Sequence, residues 1–317
     1  MKRAFLLTCL AILASFARAD YPERPIRIVV PFAAGGGVDV LARTVSQKLG
    51  EQLKQTVIVD NKPGGNANIG ADFVAKAAPD GYTVLIAANG LATNPALFAD
   101  LTYNVQRDLA PVAYVGYAPL VFVAPQSFSG RTLADVLRAA KAQPGKLNYA
   151  SAGSGTSQHL AMELLKTMTG IDVQHVPYKG GAPAIVDMLG GRIDFMMLNP
   201  LEALPHVKAG KLHAIMVDSA TRMPLLPDVP SAAEAGLPGY EASTWWAFMV
   251  PSRTPRPVVD RLNAQINRAL TDAEVKKKLE DMGVVVQTAT PDQLGAFIRA
   301  ETDKWAGVIR KANIKPE

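Results

Sequence analysis

Beyond its first nineteen residues this 317-residue sequence contains no cysteine, since the single Cys9 lies near the start. A chain beginning near Asp20 then has neither a disulfide nor a thiolate for metal or nucleophilic chemistry, and an ordinary hydrophobic core must hold it. The four histidines, His159, His175, His206 and His213, include no i, i+4 pair, so no zinc pattern is visible and no metal or cofactor is expected. Charge of one sign is also scarce. Setting aside Lys2, Arg3 and Arg18 leaves 30 basic against 28 acidic residues, about +2. The one basic run, Lys276-Lys277-Lys278, sits between Glu274 and Glu280 and reads as a solvated helix face, so nucleic-acid binding has no footprint. Later apolar runs are too short to cross a bilayer. Three enzyme fingerprints fail as well. Val40 stands where G-x-G-x-x-G needs its third glycine after Gly35 and Gly37, no Gly-Lys-Ser/Thr follows, and Gly153-Ser154-Gly155 does not complete G-x-S-x-G.

What is present begins with a leader. Lys2 and Arg3 precede the apolar stretch from Phe5 to Phe16, and Ala17-Arg18-Ala19 has the small-x-small form of a cleavage site. Residues 1–19 are therefore expected to be a signal peptide, and the periplasm the destination. About 298 residues remain, enough for two domains.

The sequence is organised around Val29-Val30-Pro31-Phe32-Ala33-Ala34-Gly35-Gly36-Gly37-Val38-Asp39. The β-branched run Ile28-Val29-Val30 predicts a buried strand. Val38, Leu41, Val45 and Leu49 recur at helical spacing, and Gly50 stands at the C′ position. Strand, glycine loop and helix N-terminus together suit an anion, because backbone N–H groups can approach it and the helix end is partially positive. A tight turn without ligand, and an Asp39 that only complements the helix dipole, are the plain alternatives. Strands at 56–59 and 82–87 with a helix near 69–77 continue a β-α-β-α-β pattern, which places the glycine loop and the Asn89 loop on one rim.

A second unit repeats this logic. The strand Leu147-Asn148-Tyr149-Ala150 opens into Ser151-Ala152-Gly153-Ser154-Gly155-Thr156-Ser157 ahead of a helix with Leu160, Leu164 and Met168 on one face, ending at Gly170. Strands are expected at 120–123, 173–176, 193–198, 212–217 and 245–250. Three capped helices close the chain, with caps at Thr254-Pro255, Thr271 to Glu274, and Thr290 to Gln293. His159 is either a cleft wall or helix packing, Tyr178 either a ligand contact or strand-end packing. Trp245 and Trp246 cannot share one strand face, so one is expected in the core and the other toward a cleft. Two α/β units with anion-friendly loops imply an acidic ligand held between lobes.

Many short segments then match one family: Tyr21-Pro22-Glu23-Arg24-Pro25-Ile26-Arg27, the glycine loop, Val59-Asp60-Asn61-Lys62-Pro63-Gly64-Gly65, Ala78-Pro79-Asp80-Gly81-Tyr82-Thr83, His175-Val176-Pro177-Tyr178-Lys179-Gly180, and Leu204-Pro205-His206 with Gly210-Lys211-Leu212. In these the chain resembles the Bug-type, or TctC-like, solute receptors of tripartite tricarboxylate transporters. The resemblance implies an α/β, two-lobed periplasmic binding fold (type II-like), each lobe a mainly parallel sheet flanked by helices. The lobes would be 20–121 with 241–317, and 122–240. It implies a non-catalytic, cofactor-free monomer that delivers an organic acid to membrane permease subunits. Carried over, the ligand-binding set is Phe32, Ala33, Gly36, Gly37 and Asp39, then Asn89 and Thr93. Ser154, Gly155, Thr156 and His159 form a second clamp, with Tyr178, Leu198, Asn199 and Thr244 nearby. Many members place an Asp where this chain has Leu198, and its loss from the cleft would favour a dicarboxylate with an aromatic body, such as a phthalate-type acid. An exported hydrolase using Ser154 or Ser157, and a ligand sensor for a membrane regulator, are the alternatives.

Overall fold

The computed structural model describes residues 21–240, 242–311 and 314–315; the leader expected at 1–19 lies outside them. The first strand, β1 (Ile26–Val30), buries side chains on both faces, because β2 (Val57–Asn61) and β3 (Thr83–Ala87) flank it in parallel and helices cover it. Between them run α1 (Gly37–Leu53) and α2 (Asn68–Ala75). After β3 come α3 (Gly90–Leu97), the short α4 (Val105–Asp108) and β4 (Leu109–Pro119).

The second sheet takes β5 (Val121–Pro125), β6 (Asn148–Ser151), β7 (Gln174–Pro177), β8 (Phe195–Leu198) and β9 (Leu212–Val217). Its helices are α5 (Leu133–Ala142), α6 (Ser157–Thr169), α7 (Gly181–Leu189) and α8 (Pro200–Lys208). The chain returns through β10 (Ser243–Pro251) and ends in α9 (Arg256–Thr271), α10 (Ala273–Asp281), β11 (Val285–Val286) and α11 (Pro291–Lys311). Strand order is β11-β4-β10-β3-β1-β2 in one sheet and β7-β6-β8-β5-β9 in the other. No helix among the described residues is long and apolar enough to cross a membrane.

Both sheets are mixed rather than mainly parallel. Parallel pairing is confined to β1–β3 and to β6 with its two neighbours, while β4, β5, β9, β10 and β11 pair antiparallel. The long β4 carries Pro111, Gly116 and Pro119, which locally read as a turn-rich approach. Its pairing with the tryptophan strand β10 overrides that, with register shifts at Trp246/Ala247 and Phe248/Met249 absorbing the irregularity.

Two helix ends and one helix face differ from expectation. α1 runs past Gly50 to a left-handed Lys54 cap, and Gly50 instead lets the chain fold back, since a Cβ there would lie 3.1 Å from the Gln55 carbonyl oxygen. Asp272, not Thr271, caps α10, because the Thr271 hydroxyl donates back to Asn267. Leu160, Ala161, Met162 and Leu165 form the buried face of α6, leaving Met168 exposed.

The two sheets are joined by adjacent crossings. The Leu120 amide donates to the Ala242 carbonyl at 3.1 Å, the Asp218 amide to Leu120 at 2.8 Å and the Ala242 amide to Asp218 at 3.1 Å. Three chain segments are thus tied side by side where the sheets change.

Candidate functional site: a cleft of helix N-termini

The first lobe contributes the turn after β1. Phe32, Ala33, Gly36, Gly37 and Val38 line a cavity that opens to solvent and holds about 480 Å³ of empty space, the open part included, with Ala88, Asn89 and Gly90 after β3 and Thr244 on β10. The second lobe closes it with Ala152, Thr156, Ser157 and Gln158, with Gly181, and with Asn199 and Glu202. Apart from Thr244, these groups lie at the starts of helices, so α1, α3, α6, α7 and α8 all point their N-termini into one space. The first N–H groups of a helix have no partner within it, and the macrodipole makes that end partially positive. Among the described residues, no lysine, arginine or histidine lines the cavity.

Of the residues singled out from sequence, Phe32, Ala33, Gly36, Gly37, Asn89, Thr156, Asn199 and Thr244 line this cavity. Asn89 also braces the crossing strand: its amide donates to the Ser243 carbonyl, and its oxygen accepts from the Trp245 amide at 2.9 Å. Thr156 and Asn199 are the caps of α6 and α8.

The others are brought elsewhere. Asp39 folds back on its own lobe, accepting from the Gly35 amide, Arg43 and Asn61. Burial alone would raise its carboxyl, but those hydrogen bonds outweigh burial and hold it below the ordinary range. Thr93 is buried and donates 2.7 Å across the lobes to the Gly155 carbonyl, so both residues join lobe to lobe. His159 belongs to helix packing. Its Nδ1 accepts the Gly155 amide, and its ring stacks on His175 at 4.0 Å. Burial pushes His159 down to about 4 and, with the His159 charge adding to it, His175 down to about 3.

Ser154 and Tyr178 line a neighbouring groove with Asn66 and Lys179, and the Tyr178 hydroxyl is committed to Asp187. The Ser154 hydroxyl is buried with no protein partner, so it lacks the base a nucleophile needs. Leu198 does not reach the cleft. Its side chain is wholly buried in the second lobe with Val121, Ala184, Met188 and Leu204. The argument for an aromatic diacid drawn from this position therefore has no basis in the structure. Neither tryptophan faces the cleft: Trp246 packs in the core beneath α1 and α9, and Trp245 packs against Phe297 and donates to Glu301.

Glu202, Gln158, Gly90 and Gly181 were not singled out from sequence, and Ser157 was named only as a possible hydrolase nucleophile. Glu202 carried a readable sign, because Asn199-Pro200-Leu201-Glu202 places a cap, a proline at N1 and an acid at N3. The Glu202 Oε1 accepts the Gly37 amide of the opposite lobe at 3.0 Å, and Oε2 accepts Asn199 at 2.8 Å and Gln158 at 3.3 Å. Burial pushes this carboxyl up, and the three donors oppose that only in part.

A two-lobed α/β chain with paired crossings and a cleft of helix N-termini has the architecture of a periplasmic binding protein. A profile of the tripartite tricarboxylate transporter family receptor matches residues 41–314, and the chain belongs to that family. It is 40% identical over 313 residues to a protein from the tcbD-tcbE intergenic region of Pseudomonas sp. (strain P51), covering 97% of this chain and 93% of that one. It is 38% identical to BugT of Bordetella pertussis over 96% of this chain and 94% of the relative. Among solved structures, an R. palustris protein with adipate superposes at a TM-score of 0.91 and 34% identity, covering 94% and 100% of the two chains. MatC of Rhodopseudomonas palustris with bound malate does so at 0.87 and 33%, covering 91% and 100%.

Proposed function

We propose that this chain is an exported periplasmic receptor that holds a small organic acid between its lobes and hands it to the membrane permease subunits of a tripartite transporter, without chemistry on the ligand. One observation carries the reading: five helix N-termini open onto one interlobe cavity that no cationic side chain of the described residues lines. Such a seat suits a carboxylate, which accepts several backbone N–H bonds at once. The adipate and malate bound by two structural relatives support that ligand class. The leader sequence supports export, and the family membership supports a permease partner.

The moving bodies are taken as 20–121 with 241–317, and 122–240, acting within a monomer and hinged where Leu120, Asp218 and Ala242 lie side by side. Ligand bridging the lobes stabilises the closed arrangement to the extent that it binds both. A thermal-shift panel of citrate, aliphatic diacids, benzene dicarboxylates and acidic amino acids tests the reading. At 100 times its Kd a ligand adds about 2.7 kcal/mol, which corresponds to roughly 5–11 °C for a protein of this size. No shift with any acid, on protein shown by mass spectrometry to carry no bound acid, contradicts it.

A further inference from the structure

Among the described residues, Glu202 is the only ionisable side chain lining this cavity. It is not at the rim: its carboxyl lies buried between the N-terminus of α1 in one lobe and those of α7 and α8 in the other. Gly181 makes the approach possible, because a Cβ at that position would collide with both Glu202 carboxyl oxygens. All three of its hydrogen-bond partners, the Gly37 amide, Asn199 and Gln158, are neutral, and no lysine or arginine among the described residues forms an ion pair with it. A carboxylate offers about four acceptor positions, so these three donors leave one unfilled.

We infer that Glu202 sets the charge of the ligand: the cleft takes an acid whose carboxylate meets the helix N-termini and whose neighbouring group, an ammonium first of all, donates to Glu202, and it discriminates against a second carboxylate at that place. The inference rests on the carboxylate-receptor reading and narrows it to amino-acid-like ligands. The physical ground is the balance of charge. Helix ends supply fractional positive charge, sufficient for one anion, and Glu202 already draws on α1, α7 and α8. A ligand ammonium within about 4 Å of Glu202 gains a full Coulomb attraction in a site screened from water, whereas a ligand carboxylate at that distance meets an equal repulsion or must bring a proton.

Matched ligands read this directly. Succinate and β-alanine differ at one end, carboxylate against ammonium, as do glutarate and 4-aminobutanoate; aspartate adds an ammonium to succinate. Calorimetric Kd values for these five are taken on the wild-type protein and on Glu202→Gln, which keeps the shape of the side chain. The expected result is that each ammonium-bearing member binds wild type at least tenfold tighter than its diacid counterpart, and that Glu202→Gln lowers that ratio at least threefold. The ratio is internal to each protein, so a loss of folded material cancels, and Glu202→Leu serves as the second variant. A wild-type preference for the diacids, or ratios that stay within threefold in both variants, overturns the inference and leaves the receptor reading standing. If none of the five, and no other acid, binds either protein, the receptor reading falls and this inference with it.

Discussion

Replacing Gly37 with alanine separates closure of the cleft from stability of the fold. Gly37 is the first residue of α1, where an alanine is conformationally acceptable and helix propensity favours it over glycine by up to about 1 kcal/mol. The nearest atoms that a Cβ there would meet beyond its own helix backbone belong to the opposite lobe. The Cβ would lie 2.7 Å from the Asn199 Oδ1, 3.1 Å from the Leu201 Cβ and 3.2 Å from the Glu202 Cγ, all at the start of α8 in the opposite lobe. Restoring an ordinary contact of about 3.5 Å turns the Asn199 Oδ1 aside and moves the start of α8, at the Leu201 Cβ, by about 0.4 Å. That stretches the 3.0 Å bond from the Gly37 amide to Glu202 to about 3.4 Å, past the ordinary N–H···O range. A hydrogen bond to a charged group contributes about 1.5–3 kcal/mol, so Gly37→Ala should weaken any ligand that requires closure by about 10- to 150-fold. Calorimetry on a panel acid gives the affinity, small-angle scattering of the ligand-saturated protein the degree of closure, and thermal melting the stability. The expected pattern is lost affinity and a more open particle with an unchanged melting temperature. Unchanged affinity, or a loss explained by a matching fall in melting temperature, would refute the reasoning.

Thr93→Val should act in the same direction but more weakly. It removes the 2.7 Å bond to the Gly155 carbonyl, worth about 1 kcal/mol, together with a long 3.5 Å contact to the Gly90 carbonyl of its own helix, and calorimetry should show a several-fold weaker Kd. Tyr240→Phe should cost about 1–3 kcal/mol in urea unfolding, because the hydroxyl donates to the Ala161 carbonyl at 2.9 Å and approaches the buried Asp218; a change under about 0.5 kcal/mol would contradict that assignment. Acid should destabilise the protein through the stacked histidines. Their folded values, about 4 for His159 and about 3 for His175, lie below the ordinary 6.5. Between pH 6.5 and 4 the unfolded chain therefore binds more protons, and stability falls as pH falls, by up to about 1.4 kcal/mol per pH unit for each ring. Replacing both with glutamine should flatten the pH dependence of the melting temperature in that window.

The glycine loop, the second small-residue loop and most strands were legible because each is a local pattern. A β-branched run, a glycine cluster and a periodic helix follow one another within some twenty residues. Thr156 was reached through the same local pattern, as part of the loop ahead of α6, whereas Asn199 entered only through the family resemblance and its place as the α8 cap comes from the structure. β4 was not, since Pro111 and Gly116 break its own pattern and its identity comes from β10, which lies more than a hundred residues away. Leu198 was misplaced for a related reason. A strand alternates faces, and the last residue of β8 points into the core while the next, Asn199, turns to the cleft. Glu202 escaped because an acid in a first helical turn is ordinarily a solvated complement to the dipole. Only the approach of the other lobe buries it against Gly37.

The most direct test of the account is a crystal structure of the complex with the acid that binds most tightly. The account predicts the ligand carboxylate in the interlobe cavity, within hydrogen-bond distance of backbone N–H groups at the starts of α1 or α3 on one side and α6 or α7 on the other, with the lobes closed around it. A carboxylate bound outside that cavity, for instance in the groove between Tyr114 and Trp305, or held by a lysine or arginine instead of helix ends, would contradict it.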